Sequence, residues 1–166
     1  MDAMAQASDE PGAIVLTLEG EDAALALGAK LAPLCRAGDV IALRGGLGMG
    51  KTVVARGLIQ ALTDPSEDVP SPTFTLVQPY DTADFTVYHF DLYRLNDPDE
   101  AFELDIEDAF AEGVSLIEWP ERLGSYLPRR RLDLHLLPAG SDNQRRAELT
   151  GGGDWPERMK QAGLHG

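Results

Sequence analysis

Cysteine and lysine are both scarce in this 166-residue chain, which has one cysteine, Cys35, and three lysines. A single cysteine cannot form a disulfide within the chain, and this usage is typical of a reducing compartment. Basic residues number 14 against 28 acidic ones, so the formal net charge is −14. Because a field of that sign repels a phosphate backbone, we expect no unaided tight binding to nucleic acid. Any work on RNA would run through a more basic partner.

Long apolar runs are missing as well. No run approaches the roughly 20 residues that a membrane-spanning helix needs, so we expect no membrane association. The opening residues, MDAMAQASDEPG, have neither a basic n-region nor an apolar h-region. We therefore expect no secretory signal and a cytoplasmic location. The polar and small residues at 1–12 predict a flexible segment, and the length predicts a single domain at residues 13–166.

Glycine, by contrast, is concentrated in the stretch GGLGMGKT at residues 45–52, which fits the pattern G-x-x-x-x-G-K-[ST]. Glycines let the backbone turn tightly and point its N–H groups at phosphate oxygens. A helix that starts near Lys51 adds its positive end, while the Lys51 amine reaches phosphate and the Thr52 hydroxyl reaches Mg²⁺. The pattern predicts a nucleotide site formed by Gly46, Leu47, Gly48, Met49, Gly50, Lys51 and Thr52.

The order of the predicted elements supports a nucleotide site, because the loop lies between a buried strand and a helix. We predict strands at residues 13–20, 39–45, 73–81, 85–95 and 114–121, and helices at 21–38, 51–62, 97–113 (one or two) and 155–164. A late hairpin is predicted from residues 132–137 and 145–150. This alternation indicates an α/β P-loop NTPase-type three-layer sandwich with a mostly parallel central sheet and a late antiparallel hairpin.

A phosphate loop of this kind also needs an acid at the end of a buried strand to hold Mg²⁺. Asp91 after VYHF and Glu118 after VSLI compete for this role. We assign Glu118, with Thr52, to the metal, because VSLI is the more apolar strand. Asp91 shares a strand face with His89 and Tyr93, a polar row suited to orienting water or phosphate. Asp91 and Lys51 are therefore the predicted catalytic residues, and Asp91 acts either on water or around the metal.

Further ATP contacts are predicted outside the loop. Thr73, in SPTFTL, lies where a switch threonine senses a γ-phosphate, the alternative being a hydroxyl that faces water. Trp119 either stacks on a base or packs beneath the site. Arg145 can reach a nucleotide from the late hairpin, and Glu121 completes the predicted set.

Four stretches in this order, GGLGMGKT, SPTFTLV, YHFDLYRL and LIEWPE, resemble the TsaE (YjeE) family of small bacterial P-loop ATPases. The resemblance implies ATP with Mg²⁺, and slow, partner-dependent ATP hydrolysis in threonylcarbamoyladenosine synthesis on tRNA. It implies TsaD and TsaB-like partners, whose repeated turnover the protein supports, and tRNA contact only through their complex. It also places Glu21 near the adenine. The chain departs from the family pattern at Gly46, where an acid is usual, and at Asp105, where a glycine is usual.

Two other functions stay open. A small-molecule P-loop kinase would need an arginine-rich lid, and the three arginines at residues 129–131 are a weak candidate for one. A nucleotide-gated, non-catalytic adaptor would have the same motifs, because a hydrolysis rate cannot be read from them. A GTPase is not expected, since no lysine lies in an N-K-x-D base-recognition motif.

Overall fold

The structure is a computed structural model that describes residues 13–164, so the predicted flexible segment at residues 1–12 lies outside the described residues. The strands are β1 (Ile14–Glu19), β2 (Val40–Arg44), β3 (Val77–Asp81), β4 (Thr86–Asp91), β5 (Val114–Glu118), β6 (Leu132–Pro138) and β7 (Gln144–Gly151). The α-helices are α1 (Gly20–Leu31), α2 (Lys51–Leu62), α3 (Ile106–Glu112) and α4 (Trp155–Gln161), with 3₁₀ segments at Ala32–Leu34, Pro98–Leu104 and Pro120–Tyr126. Within this range, the helices are too short or too polar to cross a bilayer.

All seven strands form one sheet in the order β1-β7-β6-β2-β5-β4-β3. The four central strands, β6, β2, β5 and β4, run parallel, while β1–β7, β7–β6 and β4–β3 pair antiparallel. The predicted α/β fold, with its parallel centre and late hairpin, is confirmed. Because the central strands are parallel, their carboxyl ends meet at one edge of the sheet, where an open α/β sheet holds its ligand.

Apolar side chains cover both faces of the central strands, as strands buried on both sides require. Ile41 of β2 and Leu116 of β5 join a core cluster with α1, α2 and α4. Their chain neighbours Val40 and Ile117 point to the other face and pack in a second cluster with α3. Side chains alternate along a strand, so these two clusters lie on opposite sides of the sheet and make a three-layer arrangement.

Helices α1 and α2 pack backbone against backbone through two glycines. A Cβ on Gly57 of α2 would lie 2.1 Å from the carbonyl oxygen of Leu25 in α1. A Cβ on Gly28 of α1 would lie equally close, 2.1 Å, to the carbonyl oxygen of Val54. The absence of side chains at this crossing therefore fixes how α2, and the glycine loop before it, sits beside α1.

Several predicted elements are shorter than expected, each for a local reason. The first helix ends at Leu31 because Pro33 lacks a backbone N–H and lies in a 3₁₀ turn. The strand predicted from residue 73 begins only at Val77, since Leu76 has a left-handed φ of 68°. The strand predicted to residue 121 ends at Glu118, because Trp119 has a φ of 60° and Pro120 opens a 3₁₀ segment.

Three other elements also have boundaries that differ from the predicted ones. The strand predicted to residue 95 ends at Asp91, after which Leu95 N–H turns back to bond the Leu92 carbonyl. The acidic stretch predicted as one helix or two forms a 3₁₀ segment and the short helix α3. The last helix ends at Gln161, shortly before Gly163, whose φ is 79°.

Candidate functional site

The glycine loop at residues 45–50 connects the carboxyl end of β2 to the first turn of α2. Gly45, Gly48 and Gly50 have φ values of 146°, 77° and 105°, a region that other residues rarely adopt. No side chain caps the start of α2. An uncapped helix start behind a glycine loop leaves backbone N–H groups for an anion, and the helix dipole favours one there.

A cavity of about 310 Å³ opens beside this loop. It brings together side chains that the sequence places up to 68 residues apart: those of Lys51, Thr52, Thr73, Asp91, Glu118 and Trp119. Leu47, Gly48, Met49 and Gly50 complete the loop side of the lining. Six predicted site residues that lie outside the glycine loop thus line one cavity at the carboxyl edge of the sheet.

A second cavity, of about 240 Å³, lies on the other side of the loop and shares Gly48, Met49 and Gly50 with the first. Its lining includes Glu21 of α1 and Arg145 of β7, two residues predicted near the nucleotide. The Arg145 guanidinium donates a hydrogen bond of 3.4 Å to the Gly48 carbonyl. The late hairpin therefore reaches the glycine loop, although nothing in its sequence requires this.

Two predicted residues lie outside the lining of both cavities. No atom lies within 4 Å of a Cβ built on Gly46. The Glu121 carboxylate lies 3.8 Å from the guanidinium of Arg44, which itself bonds Asp133. The role of Gly46 and Glu121 in ATP binding stays a prediction, and this geometry adds no support to it.

Lys51 brings a buried positive charge to the first cavity, with only 5% of its surface exposed. Its amine donates a hydrogen bond of 2.6 Å to the Gly45 carbonyl and lies 3.6 Å from the centre of the Trp119 ring. Burial lowers the pKa of Lys51 below its ordinary value, although the carboxylates of Glu118, Asp91 and Glu121 act in the opposite direction. The amine is therefore desolvated and close to acidic groups.

The Glu118 carboxylate is 3% exposed and receives two hydrogen bonds on the same oxygen. Thr52 Oγ1 donates to Oε2 over 2.8 Å, and His89 Nε2 lies 2.7 Å from that atom. Glu118 is next to Asp91 in the parallel register of β5 and β4. Both acids that competed for the metal in the sequence thus lie side by side at the end of neighbouring strands.

Asp91 is connected to the loop that precedes β3. One carboxylate oxygen accepts hydrogen bonds from Thr73 Oγ1 at 3.2 Å and from Ser71 Oγ at 3.5 Å. The other accepts from the backbone N–H of Tyr93 at 3.1 Å. The ring of Phe74, between these contacts and β3, is 84% exposed. A change at Asp91 would therefore directly alter the hydrogen bonds of residues 71–76, which we call the switch segment.

The sequence did not predict the position of His89. The alternation of side chains along a strand predicts His89 on one face of β4 with Asp91 and Tyr93. Its ring, however, is fully buried and contacts Glu118 on β5. Tyr93 lies beyond the end of β4 and packs against Trp119, with ring centres 4.9 Å apart. The β4–β5 register decides this diagonal contact, and a single strand's pattern carries no information on it.

The oxygen groups of the first cavity suit a magnesium–nucleotide complex. Within residues 13–164, no group of three or more His, Cys, Asp or Glu side chains is arranged to hold a metal alone. Magnesium, however, is commonly bound through one or two carboxylates together with substrate phosphates and water. Glu118 Oε1 accepts no hydrogen bond in the part of the chain that the structure describes, and the Thr52 hydroxyl is adjacent. This donor set fits a cation held jointly with phosphate.

Comparison with known proteins gives one consistent result. Residues 18–147 match the sequence model of TsaE, described as threonylcarbamoyl adenosine biosynthesis protein TsaE. The tRNA threonylcarbamoyladenosine biosynthesis protein TsaE of Rickettsia felis is 38% identical over 122 residues, covering 74% of this chain and 71% of the relative. That of a Nostoc species is 39% identical over 139 residues, covering 80% and 83%. The crystal structure of Bacillus subtilis YdiB superposes with a TM-score of 0.74 at 28% identity, over 91% of this chain and 94% of YdiB.

Proposed function

Because the chain belongs to the TsaE family of tRNA threonylcarbamoyladenosine biosynthesis proteins, we propose that it binds ATP with Mg²⁺ and hydrolyses it slowly. In this proposal the ATPase cycle supports repeated turnover of a TsaB–TsaD complex, which modifies tRNA in the cytoplasm. The observation that carries the proposal is the meeting of Lys51, the Thr52–Glu118 pair and Asp91 in one cavity beside the glycine loop.

The two cavities suggest how ATP lies across the loop. The phosphates would occupy the first cavity, where the backbone N–H groups of residues 47–50, the start of α2 and the Lys51 amine offer positive charge. Lys51 would exchange its bond to the Gly45 carbonyl for a phosphate oxygen. The adenosine would extend toward the second cavity, between Glu21 and Arg145. Gly48, Met49 and Gly50 line both cavities and so would lie beneath the middle of the ligand.

Thr52 and Glu118 are the residues that would hold Mg²⁺ in this arrangement. When bound, the ion would neutralise the phosphate oxygens and polarise the γ-phosphate toward attack. The Thr52 hydroxyl donates its hydrogen bond to Glu118 Oε2 over 2.8 Å, so its lone pairs face away from that carboxylate. Glu118 itself keeps Oε1 without a hydrogen bond from residues 13–164. Hydroxyl and carboxylate therefore present complementary oxygen atoms to one cation.

Asp91 would position the attacking water and link hydrolysis to the switch segment. Its carboxylate is buried, lines the cavity and is bonded by the hydroxyls of Ser71 and Thr73. A γ-phosphate that draws either hydroxyl away would change the path of residues 71–76 and reposition the exposed Phe74 ring. ATP binding would thus form a partner-binding surface, and hydrolysis would release it. The net charge of −14 suits docking on a basic protein rather than on tRNA directly.

Neither alternative function gains support from this geometry. The arginines at residues 129–131 precede β6 at the amino edge of the parallel strands, so they lie at the edge opposite the glycine loop. A kinase lid would have to reach the phosphates, and this cluster cannot do so from there. The adaptor would differ from our proposal only in its rate of ATP hydrolysis, which the following test measures.

The test is phosphate release from ATP by the purified protein, measured alone, with TsaB–TsaD, and with TsaB–TsaD and tRNA. We expect weak release alone and strong stimulation by the partners, with Lys51→Ala inactive throughout. An Asp91→Asn variant that binds ATP and still fully supports the partners would establish the adaptor instead. Robust release that partners do not change would indicate an independent ATPase.

A further inference from the structure

His89 is a buried polar residue for which the proposed catalytic cycle has no explicit role. It lies in β4 with 0% of its surface exposed, beside Leu116 in the register with β5. Its Nε2 atom lies 2.7 Å from Glu118 Oε2, whereas its Nδ1 atom has no hydrogen-bond partner among residues 13–164. A buried polar side chain with a single polar contact is costly, so that contact has to account for the presence of the histidine.

The single contact also determines which ring nitrogen carries the proton. A carboxylate oxygen can only accept, so Nε2 must be the N–H donor to Oε2. The ring N–H at Nε2 therefore donates the bond that joins β4 to Glu118.

The two donors to Glu118 converge on one oxygen atom. Thr52 Oγ1 and His89 Nε2 approach Oε2 at 2.8 and 2.7 Å, from α2 and β4 respectively. Two donors from different elements fix the rotation of the carboxylate about its last bond. They leave Oε1 without a hydrogen bond from the described residues. His89 thus helps to set the orientation of the cation-facing oxygen without having to touch the cation itself.

We propose that His89 is a positioning residue that aims Glu118 Oε1 at the magnesium ion of the bound nucleotide. The inference rests on the proposed function, because it requires a magnesium–ATP complex in the first cavity. Outer hydrogen bonds of this kind typically change metal affinity by about 10- to 100-fold when removed. A purely structural histidine would instead stabilise the fold with no selective effect on the metal.

Three substitutions separate these roles. His89→Gln places an amide N–H close to the position of Nε2 and keeps the bond to Glu118. His89→Asn places its amide near Nδ1, which has no partner. His89→Leu fills much of the same volume without any donor. The measurements are thermal unfolding without ligand, affinity for a fluorescent ATP analogue in EDTA, and affinity for the same analogue across a Mg²⁺ titration.

We expect His89→Leu and His89→Asn to raise the Mg²⁺ concentration for half-maximal binding about tenfold. Their affinity in EDTA should stay within about twofold of the wild type, and His89→Gln should restore most of the Mg²⁺ dependence. Equal Mg²⁺ dependence in His89→Gln and His89→Asn would overturn the proposal, even if His89→Leu does not fold. An equal fall of affinity with and without Mg²⁺ would also overturn it and indicate a structural role. Failure of the wild type to bind the analogue would instead refute the proposed function.

Discussion

Replacing Gly57 by alanine should displace the helix that carries Lys51 and Thr52. The added Cβ would lie 2.1 Å from the Leu25 carbonyl oxygen, while ordinary contacts begin at 3.4 Å. Helices α1 and α2 would therefore have to separate by about 1.3 Å at this crossing, since interiors are too closely packed to absorb the overlap. A backbone oxygen within a helix cannot rotate away as a flexible side chain could.

The energetic cost follows from two opposing effects. Overpacking costs about 1–3 kcal/mol, and a clash with backbone belongs at the upper end. The better helix propensity of alanine recovers about 1 kcal/mol. We expect a net loss of about 2 kcal/mol in the free energy of unfolding. Because α1 carries Glu21 and α2 carries Lys51, a displacement near 1 Å should also weaken ATP binding by on the order of tenfold.

Urea unfolding, followed by tryptophan fluorescence, and calorimetric titration with ATP measure these two effects. Gly46→Ala is the matched control for stability, because no atom lies within 4 Å of the added Cβ. It should unfold at the wild-type urea concentration. A Gly57→Ala variant as stable as the wild type, with unchanged ATP affinity, would refute the view that this crossing positions the loop.

Three further predictions concern stability and pH. Asp39→Ala should lose about 2 kcal/mol of stability in urea, because the buried Arg158 loses its hydrogen bonds of 2.6 and 3.2 Å to Asp39 and keeps Asp154, at 3.0 Å, as its remaining carboxylate. An unchanged midpoint would contradict this. Asp105→Gly should gain about 1 kcal/mol, since Asp105 has a left-handed φ of 59° and its side chain makes no cap bond; a loss of stability would show that the aspartate has another role. ATP affinity should fall as pH rises toward 10.5, because the lowered pKa of Lys51 removes its charge earlier than in a free lysine. A binding-competent Lys51→Arg variant should not show this decline, because arginine keeps its charge there, and an identical decline would assign it to another group.

The sequence was sufficient for the parts of the fold that depend on local chemistry. The glycine loop and α2 follow from a dense glycine pattern and a helix whose predicted and observed bounds coincide. Strands β2 and β5 were recognisable because both are apolar runs that end at a charged residue. Fold class then followed from strands that alternate with helices.

The sequence patterns did not predict the contacts between distant segments. The pairing of β1 with β7, which brings Arg145 toward the loop, depends on tertiary packing rather than on either strand's pattern. The turn at residues 73–76 was predicted as strand, because two threonines with apolar neighbours favour one. There the hydroxyl of Thr73 bonds Asp91, 18 residues away, and this contact outweighs the local preference.

In the function that we propose, ATP bound at the glycine loop permits repeated turnover of the partner complex. The most direct test is the amount of threonylcarbamoyladenosine formed on tRNA by limiting TsaB–TsaD, with the wild-type chain or with Lys51→Ala. We predict that the wild type supports many products per TsaD, whereas Lys51→Ala gives no more than TsaB–TsaD alone. Equal product with the two proteins, when Lys51→Ala is shown not to bind ATP, would contradict the account.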